Sequence, residues 1–280
     1  MMAAAMDIES ARWFAGKGRG GQVDRVQPLE WYQPPGAGEP GVRSEILRVQ
    51  YPGGVPEYYH SLCSYRRVPV PGIPAEPATD SRLGYRQDAT RDPQAMAVLL
   101  QALSRVAADG LPGRQPWDVV LHLPELLVNP GPGRLVAGEQ SNSTILFGES
   151  LAMKLFRRVE PGHDLDVVRH ELLAQAGSTD VDALVGWVSA QAGVSAAPFD
   201  TDLMMMTVQV PAARDGWELA CAAAADGRDL SVQLVELGAA LARIHQALAR
   251  STPARAIPRD QLLERVTARI DTAIVAVRAI

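Results

Sequence analysis

The 280-residue chain predicts an α+β fold that opens with sheet, mixes strand and helix in its middle and closes with helices. Three observations predict it. Arg43 to Tyr51 alternate polar and apolar side chains, the period of a half-buried strand. Two short apolar runs flank a small-polar turn around Ser141-Asn142-Ser143, with a helical pattern soon after. Beyond Gly216, Leu230, Leu234, Leu237, Leu241 and Ile244 recur at helical spacing. With 47% hydrophobic and 21% charged residues the composition is that of a globular chain, long enough for two modest domains or one large one.

The elements follow in order. Gln22 to Leu29 reads as a strand. The alternating strand from Arg43 to Tyr51 runs through a Pro52-Gly53-Gly54 turn into a second strand from Pro56 to Tyr65, giving a hairpin. Pro and Gly dominate Gln33–Gly41 and Val68–Ala78, which read as loops. Pro93 to Ala108 spaces Ala95, Met96, Leu99, Leu100 and Leu103 as a helix, with Asp92 as N-cap. Trp117 to Leu127 reads as a strand, Pro130 to Gly133 as a turn, and the two strands around the Ser-Asn-Ser loop come next. Asp164 to Ala176 reads as a helix with Leu165, Val168, Leu172 and Leu173 on one side and Gly177 past its end. Val181–Ala190 and Leu203–Val210 read as strands, and 217–225, 229–249 and 259–280 as helices. The last stripe meets no glycine or polar turn, so the chain reads as a fragment or a shortened frame.

The candidate site lies in Glu139 to Phe156. Lys154 sits inside the apolar run Leu151-Ala152-Met153-Lys154-Leu155-Phe156, where a cation is costly unless an anion meets it. Small residues at Ser141, Asn142 and Ser143 let backbone N–H groups approach phosphate, and the next strand presents the lysine to it. A hairpin with a snorkelling lysine is the plainer alternative. Three functions are disfavoured. The formal net charge is −5 with no basic block, which argues against nucleic acid. No signal peptide or apolar run of membrane length stands out. Cys63 and Cys221, far apart, make neither a disulfide framework nor a zinc site, so a reduced, cytoplasmic protein is expected.

The segment Lys154-Leu155-Phe156-Arg157-Arg158-Val159-Glu160-Pro161-Gly162 and the preceding Glu-Gln-Ser-Asn-Ser resemble bacterial maltokinases and related actinobacterial sugar kinases. Ala11-Arg12-Trp13-Phe14-Ala15-Gly16-Lys17-Gly18-Arg19 resembles the opening of the cap domain of that group. Asp215-Gly216-Trp217 and Leu237 to His245 resemble the start of its helical lobe; residues 67–135 match loosely. The resemblance implies a bilobal protein-kinase-like fold: a cap over 1–90, a kinase N-lobe over 91–211 and part of a helical C-lobe over 212–280. It implies ATP and Mg²⁺ as cofactors, with Lys154 on the α- and β-phosphates, the Ser141–Ser143 loop over them and the backbone of Thr207 to Val210, Val208 and Val210 included, near adenine.

The acidic partner of the lysine falls in that family at the position of Val168. Glu171, one turn on, is the nearest substitute and Asp166 the second. Met204 to Met206 read as core filling, His245 as a capping or packing residue, and Arg12, Trp13, Lys17 and Arg19 as structural parts of the cap. No His-Gly-Asp, Asp-Phe-Gly or Asp-Phe-Glu occurs, so no catalytic residue is assigned. The implied activity is phosphoryl transfer to a sugar hydroxyl, of maltose or glucosamine. The alternative is a catalytically inactive chain that binds nucleotide or a partner protein. Self-association through uncovered C-terminal helices is a further expectation.

Overall fold

The computed structural model describes residues 8–36, 38–109, 117–136, 141–194, 197–252 and 258–278. Strands β1 (Gln22–Gln33), β2 (Gly41–Gln50) and β3 (Glu57–Arg66) form an antiparallel meander. β2 is buried on both faces. Val42 and Ile46 enter the main core, whereas Leu47 and Val49 pack with Tyr59 under Ile8 and Phe14 of the N-terminal segment. Two short strands extend the sheet, β4 (Ala75–Pro77) and β5 (Tyr85–Asp88), in the order β1-β2-β3-β5-β4. β4 lies in the stretch expected to be loop. Its pairing with β5, not its composition, makes it a strand.

Helix α1 (Pro93–Asp109) starts as expected: the Asp92 carboxylate accepts from the N–H groups of Gln94 and Ala95 at 3.0 and 3.2 Å. Its apolar side, with Met96, Leu99 and Leu103 fully buried, joins one continuous core drawn from both sheets. The second sheet has the order β6-β11-β12-β9-β8-β7. Its members are β6 (Trp117–Leu121), β7 (Gly133–Leu135), β8 (Ser143–Phe147), β9 (Leu151–Leu155), β11 (Leu184–Ala192) and β12 (Phe199–Val208). The strand expected over 117–127 stops at Leu121, and Pro124–Leu127 form a 3-10 turn. β10 (Arg158–Val159) crosses over to pair with β3, tying the second sheet to the first.

Helix α2 (Leu165–Gln175) is capped by Asp164, whose carboxylate accepts from Asp166 N–H at 2.8 Å, and Gly177 follows it at φ +66°. The expected apolar side is corrected. Leu165 and Val168 are exposed; the helix buries Val167 in their place, together with the expected Leu173. Val167 packs with Phe156, Leu184 and Met205, on the sheet face away from the main core. Met204 and Met206 enter the main core, so the methionine run fills both sides of β12. The β11–β12 register shifts by one residue at Leu203, a bulge that puts Leu203 and Met204 into the same core.

Helices α3 (Gly216–Ala225), α4 (Ser231–Ser251) and α5 (Arg259–Arg278) complete the described chain. α4 packs against α2, and Arg243 reaches Asp180. His245 is exposed on α4, a correction to its expected packing role.

Candidate functional site

The pleat of β9 decides where Lys154 points. Leu151, Met153 and Leu155 are buried in the main core, so Ala152 and Lys154 share the opposite face. Thr144 of β8 and Met205 of β12 flank Lys154 in register. The ammonium group meets the carboxylate of Asp166, in the first turn of α2. Both side chains are about a third exposed, at 32% and 33%. An ion pair that open adds at most about 1 kcal/mol to stability, so its value is in orientation.

Asp166 is held in turn. The α2 N-cap Asp164 donates its backbone N–H to Asp202 at 2.8 Å, and His163 Nδ1 lies 3.1 Å from the same carboxylate. Asp202 is buried in β12. Burial raises the Asp164 carboxyl above its ordinary value, and the neighbouring charges of Asp166 and Asp202 add to the effect.

Glu171, the first-choice partner of Lys154, is corrected. Its carboxylate lies 2.9 Å from His122 Nε2. Five residues, about 1.4 turns, separate the two acids along α2 and place them on different sides of it, and the rotation that buries Val167 and Leu173 gives the lysine to Asp166. The Val168 position carries an exposed side chain.

In the phosphate loop, Glu139 and Gln140 lie outside the described residues. Ser141 is exposed, while the side chains of Asn142 and Ser143 turn to Arg157. Asn142 Oδ1 accepts from Arg157 N–H at 3.2 Å and Ser143 Oγ from Nε at 2.8 Å. The guanidinium is 1% exposed. It also contacts the His60 carbonyl, Thr90 and Asp88 at 3.5 Å, and Trp13 lies 4.6 Å from it. Burial pushes it below its ordinary value, and Asp88 opposes that shift. Arg157 therefore joins the loop to the first sheet, and Trp13 packs on that junction.

After β12 the backbone donors are mostly used. Val208 N–H donates to Ala183 and Gln209 N–H to Ser150, at 2.8 and 3.0 Å. Val210 lies just past the strand, 54% exposed, and its N–H makes no hydrogen bond among the described residues. Of Val208 and Val210, only the latter keeps its N–H for a ligand. Among the described residues no group of three or more His, Cys, Asp or Glu is placed to hold a metal ion. The acids nearest Lys154 are engaged with it, with His163 or with backbone, so they do not make a magnesium site by themselves.

These features define a class: a β-rich cap joined to a protein-kinase-like lobe, in which a sheet lysine meets an acid on a crossing helix. Residues 8–103 match the maltokinase N-terminal cap domain, a segment that runs into α1. A glucosamine kinase solved in complex with glucosamine, ADP and inorganic phosphate is similar in fold, with TM-score 0.54 and 19% identity over 95% of this chain and 56% of that one. A further crystal form of glucosamine kinase gives TM-score 0.55 and 18% identity over 90% of this chain and 53% of that one. The chain thus carries a segment like the maltokinase N-terminal cap within a fold like that of the glucosamine kinases, and it spans little more than half the length of those structures.

Sequence reasoning missed Asp202, Asp164, Thr144 and the role of Arg157. A signal existed for two of them: Asp202 is an acid immediately before the apolar run to Met206, and Arg157 lies two residues past the lysine strand. For Asp164 and Thr144 the signal is only strand and helix register.

Proposed function

We propose that the chain forms the nucleotide-holding part of an ATP-dependent sugar kinase, cytoplasmic, with maltose or glucosamine as acceptor. The observation that carries this reading is Lys154, on the open face of the central sheet and oriented by Asp166 at the entry of α2. A cation so placed suits the α- and β-phosphates. The Ser141–Ser143 backbone covers them, and the strand end at Val208 and Val210 faces adenine. The chain divides as cap 1–90, N-lobe 91–211 and partial C-lobe 212–280. Support for the acceptor class comes from the cap match and from the glucosamine kinase fold, the latter solved with glucosamine and ADP. Any Mg²⁺ would arrive with the nucleotide, since the described residues do not seat it alone.

Calorimetry with ATP tests the reading. Lys154→Ala removes one charge-assisted contact, worth about 1.5–3 kcal/mol, so binding weakens about tenfold to a hundredfold. Equal affinity of both proteins, or no binding by the unmodified chain, overturns it. The absence of His-Gly-Asp and Asp-Phe-Gly favours a second reading, a chain that binds nucleotide without transferring phosphate. Formation of a sugar phosphate by the 280-residue chain excludes that second reading.

A further inference from the structure

A cleft of about 620 Å³ opens between the first sheet and the β7–β8 edge of the second, and Lys154 is not among its walls. Its volume is that of a small-molecule site. Among the described residues the charge around it is reversed relative to the chain as a whole: five arginines line it against Glu76 and Asp88, a local excess of three positive charges in a chain of net −5. Two of the arginines are engaged, Arg86 with Glu45 and Arg157 with Asp88. The other three, Arg12, Arg91 and Arg134, are exposed and have no ion-pair partner among the described residues. They come from three separate segments, so the fold and not one basic stretch gathers them.

We propose that this cleft binds a phosphorylated sugar. Guanidinium forks match the oxygens of a phosphate monoester, which accounts for the three unpaired arginines at the rim. Buried hydroxyls of Thr90 and Ser143 line the interior, each with hydrogen-bonding capacity to spare for a polyol. The half-buried indole of Trp13, steadied by Arg157, supplies an apolar wall for a ring. Because Arg157 also holds Asn142 and Ser143, an occupant would rest against the loop that leads into β8. The proposal stands on this cleft alone and does not need the nucleotide reading.

Calorimetry with glucose 6-phosphate on the 280-residue chain tests it. One site is expected, with Arg91→Glu and Arg134→Glu each weakening it at least tenfold and Lys154→Ala leaving it unchanged. Both arginines are exposed, so charge reversal spares the core. Inorganic phosphate and glucose serve as the control ligands and are expected to bind more weakly than the sugar phosphate. No binding at millimolar concentration overturns the proposal. So does equal affinity for inorganic phosphate or for glucose, or loss of binding in Lys154→Ala with retention in both arginine variants.

Discussion

His60 and Arg157 share one buried space between the sheets, where the Arg157 charge and burial both disfavour a charge on His60. His60 Nε2 lies 2.8 Å from Ser44 Oγ and Nδ1 3.2 Å from the Phe156 carbonyl. Burial holds the imidazole far below its ordinary 6.5, at about 3, and the Arg157 charge adds to the effect. A histidine depressed in the folded state is protonated first in the unfolded chain. Its contribution to stability is therefore complete above pH 6.5 and is lost as pH falls towards 3. Once the unfolded chain binds the extra proton, the loss is about 1.4 kcal/mol per pH unit, so roughly 2 kcal/mol by pH 5. Glu57, held at about 2, acts only at lower pH, and His170, raised by Asp182, acts in the opposite sense. Urea unfolding at pH 7 and pH 5 should show the unmodified chain losing up to about 2 kcal/mol more than His60→Gln between the two. Equal losses would mean that His60 is not held neutral.

At the scale of elements, α2 sets the site, and its orientation depends on a few side chains. Val167 is 2% exposed against Phe156 and Met205, while Val168, one residue on, is 36% exposed. Val167→Ala should destabilise the fold by about 2 kcal/mol, the loss of two buried carbons and the space they leave. It should also weaken ATP binding, because the Val167 face aims Asp166 at Lys154. Val168→Ala should change stability by less than about 0.5 kcal/mol. Urea melts of the two variants separate the cases, and equal effects would return α2 to the rotation expected from the sequence. The sequence misled here because Leu165, Val168, Leu172 and Leu173 form as good an apolar stripe as Val167 and Leu173. Packing on β11 and β12 chose between them. The long alternating strands β1, β2 and β3 were legible, as were α1 and its Asp92 cap. β4, β5 and β7 were not, because three or four residues carry no period and exist as strands only through their partners. Lys154 was legible as a lone cation in an apolar run; its acid was not, because that choice belongs to helix rotation.

For the whole molecule, the uneven cover of its helices matters most. Apolar residues of α4 and α5 stay open to solvent, among them Leu234 at 62%, Leu237 at 65%, Leu263 at 53% and Ile270 at 53%. Exposed apolar stripes of this kind favour association. The isolated 280-residue chain should therefore run larger than its 30.1 kDa in size-exclusion chromatography with light scattering. Charged substitutions at Leu237 and Leu241 should return it to monomer. A monodisperse monomer at tens of micromolar would show that this surface does not drive self-association. Both apolar stripes were visible in the sequence as helical periods. What lay beyond it was the joining of cap and lobe, since the shared core draws on Leu62, Met96 and Phe147, side chains far apart along the chain.

The bulge at Leu203 gives β12 a change of phase. Asp202 and Met205 are three positions apart, an odd interval that in an unbroken strand sends side chains to opposite faces. With Leu203 skipped in the pairing with β11, both turn to α2: Asp202 grips the backbone of Asp164, and Met205 packs on Val167. The strand is thus two reading frames spliced at one residue, and the spatial match between Lys154 and Asp166 depends on the splice. Any side chain near it can be exchanged at a local cost. A single-residue deletion at 203 would restore the parity, swing Asp202 away from the helix entry and release α2 from the lysine without altering a residue of the site.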